Sequence, residues 1–243
     1  MAIALTELDQ DLWFPNPEQA LSEPEGLLAI GGDLSPNRLR LAYRQGIFPW
    51  YDDEQPLLWW SPAERAVVFP KRFKPSRSLA RLLKQNAFQV TLDAHFDAVI
   101  AGCQQHRLQQ GLGTWITQDM ITAYSLLFAT GDAHCISCFS KGRLVGGLYG
   151  VSIGSVFCGE SMFSLESNAS KVAFSHLVQT CRTLGIDLID CQMPNPHLLS
   201  LGAEVLSRAR FLRLLADRVD DTVNWSQIAG PLPAWSKDAR SSS

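Results

Sequence analysis

The chain has no run of about 18 apolar residues, so it offers no helix able to span a bilayer. Its first ten residues, M-A-I-A-L-T-E-L-D-Q, lack a cationic segment and bring in acids early. That argues against a secretory leader and sets the expectation of a cytoplasmic protein. Cysteine is too sparse for a disulfide framework: six in 243 residues, which read as reduced thiols. One close pair, Cys135-x-x-Cys138, has no second cysteine pair or suitable histidine pair after it. Its strand-like setting, H-C-I-S-C-F, points the two thiols to opposite faces. No metal site is expected. Charged residues make up only 19% of the chain against 46% hydrophobic, the balance of a globular protein with a substantial core.

What charge there is sits unevenly. The net charge is −3, yet residues 64–84 hold Arg65, Lys71, Arg72, Lys74, Arg77, Arg81 and Lys84 against a single Glu64. Residues 1–60 are the reverse, with acids in excess of arginines. An acidic protein with one basic strip has the footprint an anionic partner needs, nucleic acid or phosphate. A solvated helix face is the other reading of such a run.

Prolines 15, 17, 24, 36, 49, 56 and 62 break up the first part of the chain. It reads as irregular apart from one helix over 36–45, with Ser35 as N-cap, Pro36 at its first position and Gly46 after its end. The aromatics Phe48, Trp50, Tyr51, Trp59 and Trp60 crowd that helix's exit. They fit either a cemented domain contact or a stacking face for a base. Residues 1–62 are therefore expected to form a small N-terminal domain.

The expected main domain, 63–235, has regular punctuation. Strand 88–92 precedes a helix capped by Asp93, and a second helix around Met120, Ala123, Tyr124 and Leu127 stops at Gly131. Strands 133–139, 144–149 and 156–158 follow with tight turns, then an amphipathic helix ending at Gly185. Strand 186–191, a short helix near His197, strand 204–206 and a last helix close the order. From Trp235 the chain reads as frayed, with 236–243 a flexible tail.

The chain is organised around V-F-C-G-E-S-M-F-S-L-E-S-N-A-S-K (156–171), answered downstream by L-I-D-C-Q (188–192). Each offers an apolar strand whose end delivers a carboxylate, Glu160 or Asp190, beside large apolar groups, the outline of a small-molecule or acyl-transfer site. Both acids read equally as solvated strand-end carboxylates. The element order, β-α-α-β-β-β-α-β-α-β-α, resembles the acetyltransferase-like (GNAT) fold, an α/β (α+β) mixed sheet with flanking helices. In that fold substrates meet where the fourth and fifth strands part, which here means Glu160 and Asp190. A CoA-dependent N-acyltransferase of this fold usually carries a Gly-x-Gly loop for pyrophosphate. Here the corresponding S-M-F-S-L-E-S-N-A-S has no glycine.

Further motifs make the resemblance specific: G-L-L-A-I-G-G-D-L-S-P (26–36), Y-R-Q-G-I-F-P-W (43–50), W-W-S-P (59–62), G-T-W-I-T (113–117), F-C-G-E-S-M-F-S (157–164), N-A-S-K (168–171), L-I-D-C-Q (188–192) and L-G-A-E (201–204). In this order and spacing they resemble bacterial leucyl/phenylalanyl-tRNA–protein transferases over nearly the whole chain. The resemblance implies transfer of Leu or Phe, and Met less well, from aminoacyl-tRNA to an N-terminal Arg or Lys, marking the acceptor for N-end rule degradation. It implies Asp190 and Gln192 at the reaction centre and Glu160 on the acceptor side. It implies Met162 and Phe157 walling an amino-acid pocket, and Trp50 and Trp115 holding the terminal adenosine. Leu148 stands where the family commonly has Met, a volume-conserving exchange.

The donor is already an activated ester, so the resemblance implies neither cofactor nor metal. The enzyme has to align an amine with a carbonyl, stabilise charge and move a proton. An unshifted carboxylate is a weak base, so Asp190 must be raised by burial or act by orienting the amine. On a continuing strand Gln192 shares a face with Asp190. Lys71, Arg72, Lys74, Arg77, Arg81 and Lys84 are the expected contacts to acceptor-stem phosphates. A monomer is the default expectation. A non-catalytic RNA-binding module is the rival outside enzymology.

Overall fold

The computed structural model describes residues 5–111 and 113–235; the tail expected over 236–243 lies outside the described residues. In chain order the first elements are β1 (Thr6–Leu8), β2 (Leu27–Gly31), α1 (Pro36–Arg44), β3 (Phe48–Pro49), β4 (Leu58–Trp60), β5 (Glu64–Val68), α2 (Arg77–Gln85) and β6 (Gln89–Leu92). Then come α3 (Phe96–Gln109), α4 (Gln118–Ala129), β7 (Ala133–Ser140), β8 (Arg143–Ile153), β9 (Val156–Ser164), α5 (Ala169–Leu184), β10 (Leu188–Asp190), α6 (Pro196–Ser200), β11 (Glu204–Ser207), α7 (Arg208–Ala216) and β12 (Gly230–Pro231).

The first part of the chain is not irregular. Its short strands form a four-stranded sheet ordered β1-β2-β4-β3, fitted between the prolines. Helix α1 starts as its sequence dictates, the Ser35 hydroxyl accepting from the Arg38 N–H and Pro36 filling the first turn. The second sheet has eight strands in the order β11-β5-β10-β9-β8-β7-β6-β12. All its pairings are antiparallel except β9 with β10. From β6 to α7 the element order is the one expected. Two members are unforeseen: β12, which pairs with β6 at the sheet's edge, and β5, hidden in the basic run, which pairs with both β10 and β11.

Apolar residues alternate onto the two faces of this sheet. One core cluster joins Leu28, Tyr43 and Trp59 to Tyr124 of α4 and to Tyr149 and Val151 of β8. The other packs Phe174 and Leu177 of α5 and Leu79 and Leu83 of α2 against Leu148, Phe157 and Ile189. Cys135 and Cys138 fall in different clusters, as period-two alternation requires.

Local readings needed correction at three places. Asp93 does not cap α3, whose N-cap is His95 without a side-chain bond. Asp93 instead accepts from the Cys135 N–H at 2.8 Å and bonds His134 Nδ1 at 2.7 Å, tying the loop to β7. Trp235 is buried in the second core cluster rather than frayed. And β8 and β9 run far beyond the expected ends, to Ile153 and Ser164, because the added residues, Glu160 apart, gain ladder partners across the hairpin.

That longer hairpin contains the irregularity on which the site depends. Gly150 pairs with Gly159 and Tyr149 with Ser161, so Glu160 is an extra residue in β9. Such a bulge turns the strand and re-aims its side chains. Before it, Val156 and Cys158 face the first core cluster; after it Phe163 does, and Met162 faces the second. Simple alternation would have put Glu160 and Met162 on the same face. Opposite the bulge only glycine fits at 150, since a Cβ there would lie 2.2 Å from the Cys158 carbonyl oxygen.

Candidate active site

Pairing of β9 with β10 ends at Asp190 opposite Cys158, after which the strands part. Strand β9 continues through its bulge to Ser164. The chain after β10 turns away at Gln192, a non-glycine residue with φ of +61°. The left-handed region costs a side-chain-bearing residue about 1–3 kcal/mol and is held where surroundings over-determine it. Between the diverging strands opens a cleft of about 300 Å³.

One wall is apolar. Leu148 and Met162, neighbours across the β8–β9 ladder, line it with Phe157. Phe174 and Leu177 of α5 complete it; sequence spacing marked both as core, and their place at the cleft follows from how α5 lies on the sheet. Trp50 and Trp115 also line the cleft. Trp50 meets Trp60 edge to face at 5.5 Å, and its carbonyl accepts from the Trp60 indole N–H, so part of the aromatic cluster is internal cement.

The opposite wall is a chain of hydrogen bonds. Glu160, 8% exposed, accepts from Tyr124 Oη at 2.9 Å and from Gln192 Nε2 at 2.7 Å. The Tyr43 hydroxyl in turn bonds that of Tyr124. Burial pushes the Glu160 carboxyl up to about 7, although the tyrosine hydroxyls and Arg65 favour its charged form and Asp190 opposes it. Burial beside Glu160 likewise holds the Tyr43 and Tyr124 phenols well above their usual range. A donor bond from Gln192 to this carboxylate leaves the amide oxygen of Gln192 as the acceptor available at the cleft.

Asp190 does not face the cleft, contrary to the expectation of a shared face with Gln192. It is fully buried and held by Arg65 in a bidentate pair, Nε to Oδ1 at 2.8 Å and Nη2 to Oδ2 at 2.7 Å. Arg65 also donates to the Gly46 carbonyl and lies between the rings of Phe48 and Phe211. Desolvation opposes its charge, but Asp190 outweighs that and raises its pKa. Asp190 Oδ1 accepts from the Gln192 N–H at 2.9 Å, fixing the left-handed turn. So Asp190 orients Gln192 through the backbone. Arg65 leaves the basic strip: it is the buried counter-charge of the site. No sequence signal separated it from its cationic neighbours. Tyr43 and Tyr124 were missed because both fit core positions of amphipathic helices.

The remaining cations are peripheral. Arg77, Arg81 and Lys84 are exposed on α2, whose Leu79 and Leu83 anchor it. Lys71 and Lys74 are exposed before it. Arg72 is engaged within the chain, stacked on Phe69 and paired with Glu204 at 3.1 Å. None of the six lines the cleft.

The family described as leucyl/phenylalanyl-tRNA protein transferase matches residues 67–216, and its N-terminal domain matches 32–63. This chain belongs to that family. A leucyl/phenylalanyl-tRNA–protein transferase of Hahella chejuensis is 50% identical over 94% of this chain and 98% of its own length. One of Pseudomonas putida is 53% identical over 93% and 100%. Among solved structures, FemX is similar with a TM-score of 0.50 at 9% identity, over 74% of this chain and 71% of FemX, a likeness of fold alone. The hydrogen-bonded wall bridges the two matched segments of the transferase family, Tyr43 lying in one and Tyr124, Glu160 and Gln192 in the other. Arg65 falls in the gap between them.

Proposed function

We propose that this chain transfers leucine or phenylalanine, and methionine less well, from aminoacyl-tRNA to the N-terminal Arg or Lys of proteins, marking them for N-end rule degradation. The observation that carries this reading is half identity to curated transferases over more than nine-tenths of the chain. The cleft supplies a means. Leu148, Phe157 and Met162 take the donor's side chain, and an unbranched apolar group gains about 1.5–3 kcal/mol there. The adenosine stacks against Trp50 and Trp115, and cations of α2 meet phosphates of the acceptor stem.

In this proposal the amine of the acceptor enters beside Gln192 and Glu160. At neutral pH about a tenth of an α-amino group with a pKa near 8 is uncharged. The Gln192 amide oxygen accepts from it and aims its lone pair at the ester carbonyl. Glu160, poised near neutrality, is the group suited to collect the proton, a task for which an ordinary carboxylate is too weak. Attack forms the amide bond and expels the ribose hydroxyl. Asp190 and Arg65 act behind the site by holding Gln192. The parting of the parallel pair β9–β10 supports placing the domain among acetyltransferase-like folds.

The test uses purified protein, labelled Phe-tRNA or Leu-tRNA and a peptide beginning with Arg, without ATP, CoA or metal. Label passing to the Arg peptide but not to its N-acetylated form is expected. Tight tRNA binding with no transfer would replace the enzyme by an RNA-binding module.

A further inference from the structure

With one exception among the described residues, the sheltered arginines of this protein are paired. Among the described residues, the side chains of Arg38, Arg40, Arg65, Arg182, Arg208 and Arg218 are at least half sheltered, and each donates to a carboxylate or a backbone carbonyl. Arg107, in the last turn of α3, is sheltered to a similar degree and makes no such bond or ion pair. Its Nε is shut off from solvent without an acceptor. Among the described residues Arg107 is also the one Arg or Lys that lines the cleft. A second buried donor on the cleft wall, Tyr149 Oη, has no acceptor either. Helix α3, which carries Arg107, packs against β8, which carries Tyr149. Two unpaired donors beside an open cleft are a costly arrangement unless a ligand completes it.

The chemistry of the missing acceptor follows from charge and shape. A guanidinium repels the Arg or Lys side chain of a protein acceptor, so Arg107 belongs to the donor's side of the cleft. Trp115 and Trp50 line that same cleft and offer the faces on which a base stacks. A nucleotide whose base stacks there carries its nearest anion at the 5′-phosphate, with oxygens that match the guanidinium fork. We infer that Arg107 binds the phosphate of the donor's terminal nucleotide and thereby sets which end of the cleft receives tRNA and which the acceptor. This rests on the transferase reading above for the donor's identity, and the test separates the two.

Binding of AMP and of adenosine, neither of which reacts, is measured by calorimetry on the whole protein and on Arg107→Gln and Arg107→Lys. AMP is expected to bind the unaltered protein about ten- to a hundred-fold more tightly than adenosine. Arg107→Gln should abolish that ratio by weakening AMP alone, and Arg107→Lys should restore part of it. No preference for AMP in the unaltered protein overturns the inference, as does a preference that survives Arg107→Gln. Equal loss of both ligands, with an unchanged melting temperature, makes Arg107 a wall of the cleft and also overturns it. A phosphate preference lost in Arg107→Gln, in a protein that transfers no amino acid, would sink the transferase reading and leave the nucleotide site standing.

Discussion

Two regions of one basic run meet opposite fates. Arg65 is buried, bidentate to Asp190 and sandwiched by Phe48 and Phe211. Arg77 and Arg81 stand exposed on α2 with no carboxylate partner among the described residues. The first charge is taken out of water and held at fixed geometry, so its energy goes into shape: it anchors Asp190, which anchors Gln192. The others remain hydrated and screened, so theirs is available to a partner. Proximity in sequence says nothing about which use a charge will have.

The contrast can be broken most severely at the buried pair. Asp190→Ala leaves Arg65 as an unpaired buried charge and should cost about 3–5 kcal/mol in urea unfolding. The paired change Asp190→Leu with Arg65→Met should recover much of that stability without recovering transfer, because the Gln192 N–H loses its acceptor. Stability unchanged in Asp190→Ala would mean the pair is hydrated in solution.

Glu160 is a third buried charge site, and its behaviour is read through pH. Its carboxyl sits at about 7 in the folded protein against 4.5 as a reference. The folded state therefore keeps a proton that the unfolded chain releases. This contribution to stability is full below 4.5 and is lost as pH climbs to about 7. Glu160→Gln should flatten stability across that window. It should also lower transfer by about 10²–10⁴-fold and leave only the amine's own titration, near pH 8, in the rate profile. A second titration step near 7 persisting in the variant would assign that step elsewhere.

A smaller effect is expected at the apolar wall. Met162→Ala should reduce transfer of Phe by about ten- to a hundred-fold while binding of uncharged tRNA stays constant. Parallel losses in both would make Met162 a structural residue. The smallest effect on the fold belongs to α2. Arg77→Gln with Arg81→Gln should leave stability within about 0.5 kcal/mol. It should flatten the log–log salt dependence of tRNA binding by about one unit per lost contact. An unaltered slope would remove this helix from the tRNA footprint.

The element order from β6 to α7, the capping of α1 and the segments carrying Glu160 and Gln192 were legible in the amino-acid sequence. These follow from periodicity, turn chemistry and local motifs, all of which act over a few residues. The sequence also carried enough matched motifs to point to the family. The arrangement of side chains within the site arises in the packed fold. The extra residue at Glu160 appears when β8 and β9 pair, because a bulge is a property of two strands and not of one. Tyr43 and Tyr124 become partners of a carboxylate only when α1 and α4 pack on the same face of the sheet. Arg65 and Asp190 are separated widely along the chain, and their pairing exists because β5 lies antiparallel to β10, Val67 facing Asp190 across the ladder. Side chains that meet across sheets and helices leave no local pattern, and in this protein those meetings turn a row of ordinary residues into a site.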